Sequence, residues 1–187
     1  MKTLLISLAL GTAAVAAPLA AQTLPPAVIV VVDMEQVFQT SQAGKTAQTE
    51  LKTRLDGIQS RVQSLQTSFG AEEQTLGTTR PTAPGPAATA WEAKVKDFQT
   101  RKGQAETELR KRNEDFQASR QSVVKQINDG AQPLITQVMK ERGASIALAE
   151  GATLQHSASI DVTADIIARL DKSLPRVSTA TPAAAAK

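Results

Sequence analysis

Six apolar residues, Leu51, Leu55, Ile58, Val62, Leu65 and Phe69, follow one another at intervals of 4, 3, 4, 3 and 4, and Leu76 falls on the same frame one heptad beyond Phe69. Polar residues fill the places between them, and Glu72 occupies the one seam position left over. A strict a/d heptad makes a stripe too narrow for an ordinary globular helix, which carries a third or fourth apolar residue in every two turns. The pattern predicts a long, exposed helix that seeks one partner helix.

The segment that follows decides where that partner lies. Residues 78–91 read TTRPTAPGPAATAW, with three prolines and a glycine that cannot continue a helix. Beyond it a second stripe appears: Trp91, Val95, Phe98, Lys102, Ala105, Leu109, Arg112, Phe116, Ser119 and Val123. Folding the chain back at residues 83–84 sets Leu76 against Trp91, Phe69 against Phe98, Val62 against Ala105, Ile58 against Leu109 and Leu51 against Phe116. Leu65 and Leu55 then face Lys102 and Arg112, whose aliphatic stems can cover apolar surface while the charges reach water. Large residues meet large ones, so the Pro-rich stretch reads as the tip of an antiparallel hairpin rather than a linker between domains. From Lys45 to Leu76 the arm would extend roughly 50 Å at ~1.5 Å per residue. Gly57 and Gly103 inside it each cost about 1 kcal/mol relative to Ala, which leaves the arm soft and in need of an anchored base.

The ends of the chain supply that base. Residues 28–32, VIVVV, form the best strand signal, and their unbroken apolarity suggests burial on both faces. Asp33, or Thr40 and Ser41, could cap the helix that follows. On the return side, Asp129, Gly130 and Pro133 are expected to interrupt the second helix and kink it where arm joins base. Ile146 and Leu148 alternate, Glu150-Gly151 turns and Thr153 to His156 return, which predicts a short strand hairpin. Asp161 or Thr163 caps a last helix with Ile166, Ile167 and Leu170 on its apolar face, ended by Pro175. The composition of residues 176–187 predicts a disordered tail.

The fold class expected is therefore α+β: a long antiparallel coiled-coil hairpin on a small β-body. Residues 22–42 and 130–175 would make the β-rich body and residues 43–129 the arm, with a tip loop at 77–90. So small a base with few aromatics is expected to gain surface for its buried strand by oligomerising. Residues 1–21 follow the secretory pattern of one Lys, an apolar run from Leu4 to Leu10 and small residues, with an apolar run too short for a membrane span. The chain is thus expected to be exported and soluble after cleavage.

Chemistry is harder to find. The chain has no cysteine, so neither disulfides nor thiolate metal sites can contribute. His156 is the single histidine and no nucleophile motif accompanies it, while Glu72-Glu73 and Glu114-Asp115 read as solvated helix faces. There is no phosphate loop. Lys45 to Lys125 hold 14 basic and 10 acidic residues, an interspersed charge that does not point to nucleic acid. An enzyme is not expected, nor a cofactor, nor a metal site.

Two end segments carry a family resemblance. VIVVVDMEQVFQTSQAGKTAQTEL resembles the N-terminal region of the OmpH/Skp periplasmic chaperones, with a strand, V-D, a V-F pair, then Ser and G-K opening a long helix. ERGASIALAEGATLQHSASIDVTADIIARL is similar to their C-terminal region, where a strand hairpin precedes an I-D-[IV]-T helix start. The resemblance implies a homotrimer in which strands of three chains build a central body and three helical arms enclose unfolded outer-membrane β-barrel proteins in the periplasm, without nucleotide. Carried over by position, Val28, Ile29, Val30, Val31, Val32, Ile146 and Leu148 would lie in the trimer body, and Asp161 to Thr163 would start its closing helix. The seam residues of the arm are mostly consumed within it, so clients are expected on its flanks and tip. The resemblance leaves room for a peripheral contact with membrane or lipopolysaccharide, although the family's basic residues for that site have no match here. The alternative reading is a non-catalytic coiled-coil spacer or tether of the cell envelope.

Overall fold

The computed structural model describes residues 26–182. The segment read as a signal peptide, residues 1–21, lies outside the described residues. The element order is β1 (Ile29–Val32), α1 (Met34–Thr40), α2 (Gln42–Thr78), α3 (Pro86–Arg142), β2 (Ile146–Ala149) and α4 (Thr163–Ser173). Short 3₁₀ turns at Glu150–Ala152 and Ala158–Ile160 link β2 to α4.

The first two helices start where a side chain can receive a free amide. Asp33 Oδ1 accepts from Gln36 N at 2.9 Å to cap α1, and Ser41 Oγ accepts from Gly44 N at 3.2 Å to cap α2. α2 and α3 then run antiparallel. Gly85 opens α3 with φ of 152°, a conformation that favours glycine, and Pro86 follows at a first-turn position where its missing N–H costs nothing. The tip is shorter than residues 77–90, because α2 persists to Thr78 and α3 begins at Pro86.

The second helix is not interrupted at Asp129–Pro133. α3 runs without a break from Pro86 to Arg142 with Pro133 inside it, and Ile127, Ala131 and Val138 are buried on both sides of the proline. Packing of that face onto α1 and α4 outweighs the local cost of Pro and Gly, so the base is more helical than the β-rich body expected at 130–175. Gly130 has its own use there. A Cβ at this position would come 2.7 Å from Leu174 Cδ2 and 3.3 Å from Leu170 Cδ1, so its absence lets α4 lie close on α3.

The strand hairpin expected from Ile146 to His156 does not form. β2 pairs instead with β1, in parallel, with Ile29 opposite Ile146 and Val32 opposite Ala149. The reason lies in the arm: α2 leads away from the base and α3 leads back, so the chain re-enters beside the start of β1. Ser145 N donates to Val28 O at 2.9 Å and sets the register. Thr153 to His156 lie between the two 3₁₀ turns, and the other edge of β1 takes Asp161 and Val162, with Val162 N donating to Val31 O at 3.0 Å.

This arrangement changes how VIVVV is buried. Val30, Val31 and Val32 are at most 3% exposed within a single chain, and Val30 and Val32 share a core with Val37, Ile127, Val138, Val162, Ile166 and Leu170. Assembly is therefore not required to bury Val30 to Val32, whereas Val28 is 44% exposed and Ile29 half-buried. Residues 176–182 also differ from the disordered tail expected of 176–187: Val177 packs against the core, and the chain around it bonds to both long helices. The last five residues lie outside the described residues.

Candidate functional site

The hairpin places the heptad residues along one interface. The Phe69 and Phe98 rings meet edge to face with centroids 5.6 Å apart, in the geometry that aromatic quadrupoles favour. Val62, Leu65, Phe69, Ala105 and Leu109 line one groove along the arm, and Leu51, Ile58, Phe98 and Phe116 are buried. Val95 and Leu55 are half-buried. At the outer end the Trp91 indole N–H donates to Leu76 O at 2.9 Å, satisfying one of the carbonyls that the end of α2 leaves free, and Arg80 lies 5.6 Å from the Trp91 ring centre. Trp91→Phe is expected to cost at least about 1 kcal/mol and to raise amide exchange in the last turn of α2, since that hydrogen bond is lost together with part of the indole surface that Arg80 covers.

Charge pairs flank the seam. Arg101 joins Glu72 across the helices and Asp97 on its own helix, while Arg61 reaches Glu108 at 3.0 Å. Hydrogen bonds from Arg101 hold the Glu72 carboxyl below its ordinary range, and Arg61 and then Arg112 do the same for Glu108. Glu72, a polar break in the heptad, is therefore a cross-helix anchor. Gly57 and Gly103 are exposed, and a Cβ at either would meet nothing within 4 Å. Replacing either with Ala is expected to stabilise the arm by about 0.5–1 kcal/mol through helix propensity alone, read as a higher melting temperature.

At the root of the arm a groove opens between α1, α2 and α3. Met34, Phe38, Leu51, Phe116 and Val124 supply its apolar lining, and Glu35, Gln48, Arg120 and Asn128 line it as well. Val124 is 45% exposed, a large aliphatic side chain left facing solvent. A flexible Met with aromatic and aliphatic neighbours can repack around differently shaped apolar groups. Leu51 and Phe116 belong to the heptad seam, but the periodicity does not signal the groove, because Met34, Phe38 and Val124 complete it and only the fold brings them together.

The base carries further apolar exposure. Val28 is 44% and Ile146 40% exposed at the start of the sheet, and Leu154 is wholly exposed in the loop after β2. Leu148 and Ile29 are half-buried. Of the residues expected in a trimer body, Val30 to Val32 thus lie in the chain's own core, and Val28 and Ile146 face outward.

His156 has a structural part to play. Its two ring nitrogens lie 3.3 Å from Ser157 O and from Glu150 Oε1, and only an imidazolium can donate to both. The Ser157 carbonyl and then the Glu150 carboxylate raise its pKa above the ordinary 6.5. Its contribution is complete below that ordinary value and is lost as pH rises through the raised one. Amide exchange in residues 150–160, corrected for intrinsic rates, should accordingly be faster at about pH 8 than at about pH 6. Among the described residues no three His, Cys, Asp or Glu side chains gather to hold a metal ion. None of the described helices is long and apolar enough to cross a membrane.

Comparison with known proteins agrees with this architecture. A crystal structure of a candidate OmpH-like outer membrane chaperone from Caulobacter crescentus superposes with a TM-score of 0.72 at 18% identity, covering 87% of this chain and 96% of that one. At that identity the likeness speaks for the fold. No curated protein sequence gives a significant match. The profile of OmpH-like outer membrane proteins matches residues 28–170, from the first strand through the arm to the closing helix. The chain belongs to the OmpH-like outer membrane protein family.

Proposed function

We propose that this protein is an ATP-independent holdase of the periplasm, which keeps unfolded outer-membrane β-barrel proteins from aggregating in transit. Family membership favours a chaperone role in general. The observation that carries the specific reading is the apolar groove at the arm root, lined by Met34, Phe38, Phe116 and Val124 and open to solvent beside a long charged arm. Such a site binds an unfolded chain weakly at many alternative segments. Several arms acting together make the sum adequate while each contact stays mobile.

The same reading assigns the assembly. Two four-residue strands make a sheet with β2 at its edge, and such an edge is a template for a further strand. Ile146, exposed at the start of β2, gives that edge an apolar start. Three copies joined there would point three arms the same way around one cavity.

The test is dilution of a urea-unfolded outer-membrane β-barrel protein into buffer with the chain lacking residues 1–21. Suppression of turbidity at a ratio of three chains to one client, without nucleotide, is expected. Phe38→Ser with Val124→Ser should weaken it. Undiminished aggregation at that ratio would end the holdase reading.

A further inference from the structure

On the face of the hairpin root that the tail crosses, the structure shows a polypeptide segment seated between α2 and α3. The segment is the chain's own. After α4, Leu174 lies over Gly130, Val177 packs against the core, and residues 176–179 bond to one side chain of each long helix. The Gln126 amide takes both backbone groups of a single residue. Ser178 N donates to Gln126 Oε1 at 2.9 Å, and Gln126 Nε2 donates to Ser178 O at 2.9 Å. Ser122 Oγ, 3.1 Å from Gln126 Nε2, holds the amide in that orientation. From α2, Glu50 accepts from Thr179 Oγ1 at 2.6 Å and from Arg176 Nη2 at 3.1 Å.

Each contact selects a kind of group rather than a sequence. A primary amide offers the same donor and acceptor as a peptide unit, so Gln126 can pair with any residue that has an N–H and a C=O. The seat of Val177 takes an aliphatic side chain, and the Glu50 carboxylate takes a hydroxyl or a cation. An aliphatic residue followed by small polar ones satisfies all three. Strands of outer-membrane barrels alternate apolar and polar residues, so an unfolded barrel chain repeatedly presents a polar residue directly before an aliphatic one, as Arg176 on Glu50 stands before Val177.

We infer that the groove between Glu50 and Gln126 is a peptide-binding site for an unfolded polypeptide segment, filled in the free protein by the chain's own residues 176–179. The nature of the incoming segment rests on the holdase reading; the site itself rests on the seated tail. Tethering gives the tail a high effective concentration, so an incoming segment binds only where the tail lifts off. The tail thereby keeps the site covered until a long client, already held on the arms, can compete.

A labelled peptide of residues 174–182, LPRVSTATP, tests this by fluorescence anisotropy with otherwise full-length chains. Val177→Asp, which expels the tail, should bind the peptide at least about 10-fold more tightly than the unaltered chain does. Ser178→Pro, which removes the N–H that Gln126 reads, should act in the same direction. Adding Gln126→Ala to either should return binding to the unaltered level. An unfolded outer-membrane β-barrel protein should displace the bound peptide. No gain in peptide binding with either variant, both shown to be folded by circular dichroism, would overturn the site. Binding that the unfolded barrel protein cannot displace would reduce the tail to a strap and overturn its exchange with clients. Failure to suppress aggregation alongside normal peptide binding would instead count against the holdase reading alone.

Discussion

Gly44→Ala is expected to destabilise the protein by at least about 3 kcal/mol, although Ala favours a helix by about 1 kcal/mol over Gly. A Cβ at position 44 would stand 1.7 Å from the Phe38 carbonyl oxygen and 2.8 Å from its carbon. Both are backbone atoms, so no rotamer can relieve the overlap. α1 and α2 meet at a one-residue joint, Ser41, whose side chain is wholly buried. Moving Phe38 away shifts all of α1, with Val37 at 0% exposure on one side and the root groove on the other. The expected fall in melting temperature is about 6–12 °C for a chain of this size. Gly57→Ala and Gly103→Ala are the controls, since the same substitution in open space should raise stability. Equal effects at all three positions would contradict the close approach of α1 to α2.

Leu170→Ala should cost about 3 kcal/mol, within the range for a fully buried leucine. Leu170 is 0% exposed and stands where α4 lies against Gly130 of α3. Its loss opens a cavity between the two helices, at the point from which the tail starts. The ion pairs of Arg169 with Glu141 and Asp165 remain, but they are partly exposed and contribute little by comparison. Denaturant melts would show a lower midpoint, and amide exchange would rise first in α4 and in residues 176–179. A loss below about 1 kcal/mol would mean that α4 is not packed on α3 as described.

The hairpin was the most legible part of the chain because its information is periodic. A 3–4 spacing survives a Lys or an Arg at a seam position, and the fold-back that pairs Phe69 with Phe98 also sets Trp91 beside Leu76. The base was less legible, because its contacts join residues far apart in sequence. Ile146 and Leu148 carry an alternating pattern that says strand without saying which partner. The partner is β1, delivered by the two helices, not the nearby Thr153–His156 segment. Asp129, Gly130 and Pro133 signal a break by local propensity, whereas burial of Ile127, Ala131 and Val138 carries α3 through them. Residues 176–179 show why composition misleads at a terminus: Arg176, Val177, Ser178 and Thr179 are unremarkable in sequence, and their partners Glu50 and Gln126 lie more than 50 residues away. Gly44 was visible in the Ser and G-K pattern, but only the fold gives the physical reason for it.

The decisive measurement is size-exclusion chromatography with static light scattering on the chain lacking residues 1–21, alone and with one unfolded outer-membrane β-barrel protein. A trimeric holdase requires the mass of three chains for the free protein and of three chains plus one client for the mixture, each eluting as an elongated particle. A monomer that stays a monomer while the client aggregates beside it would contradict it.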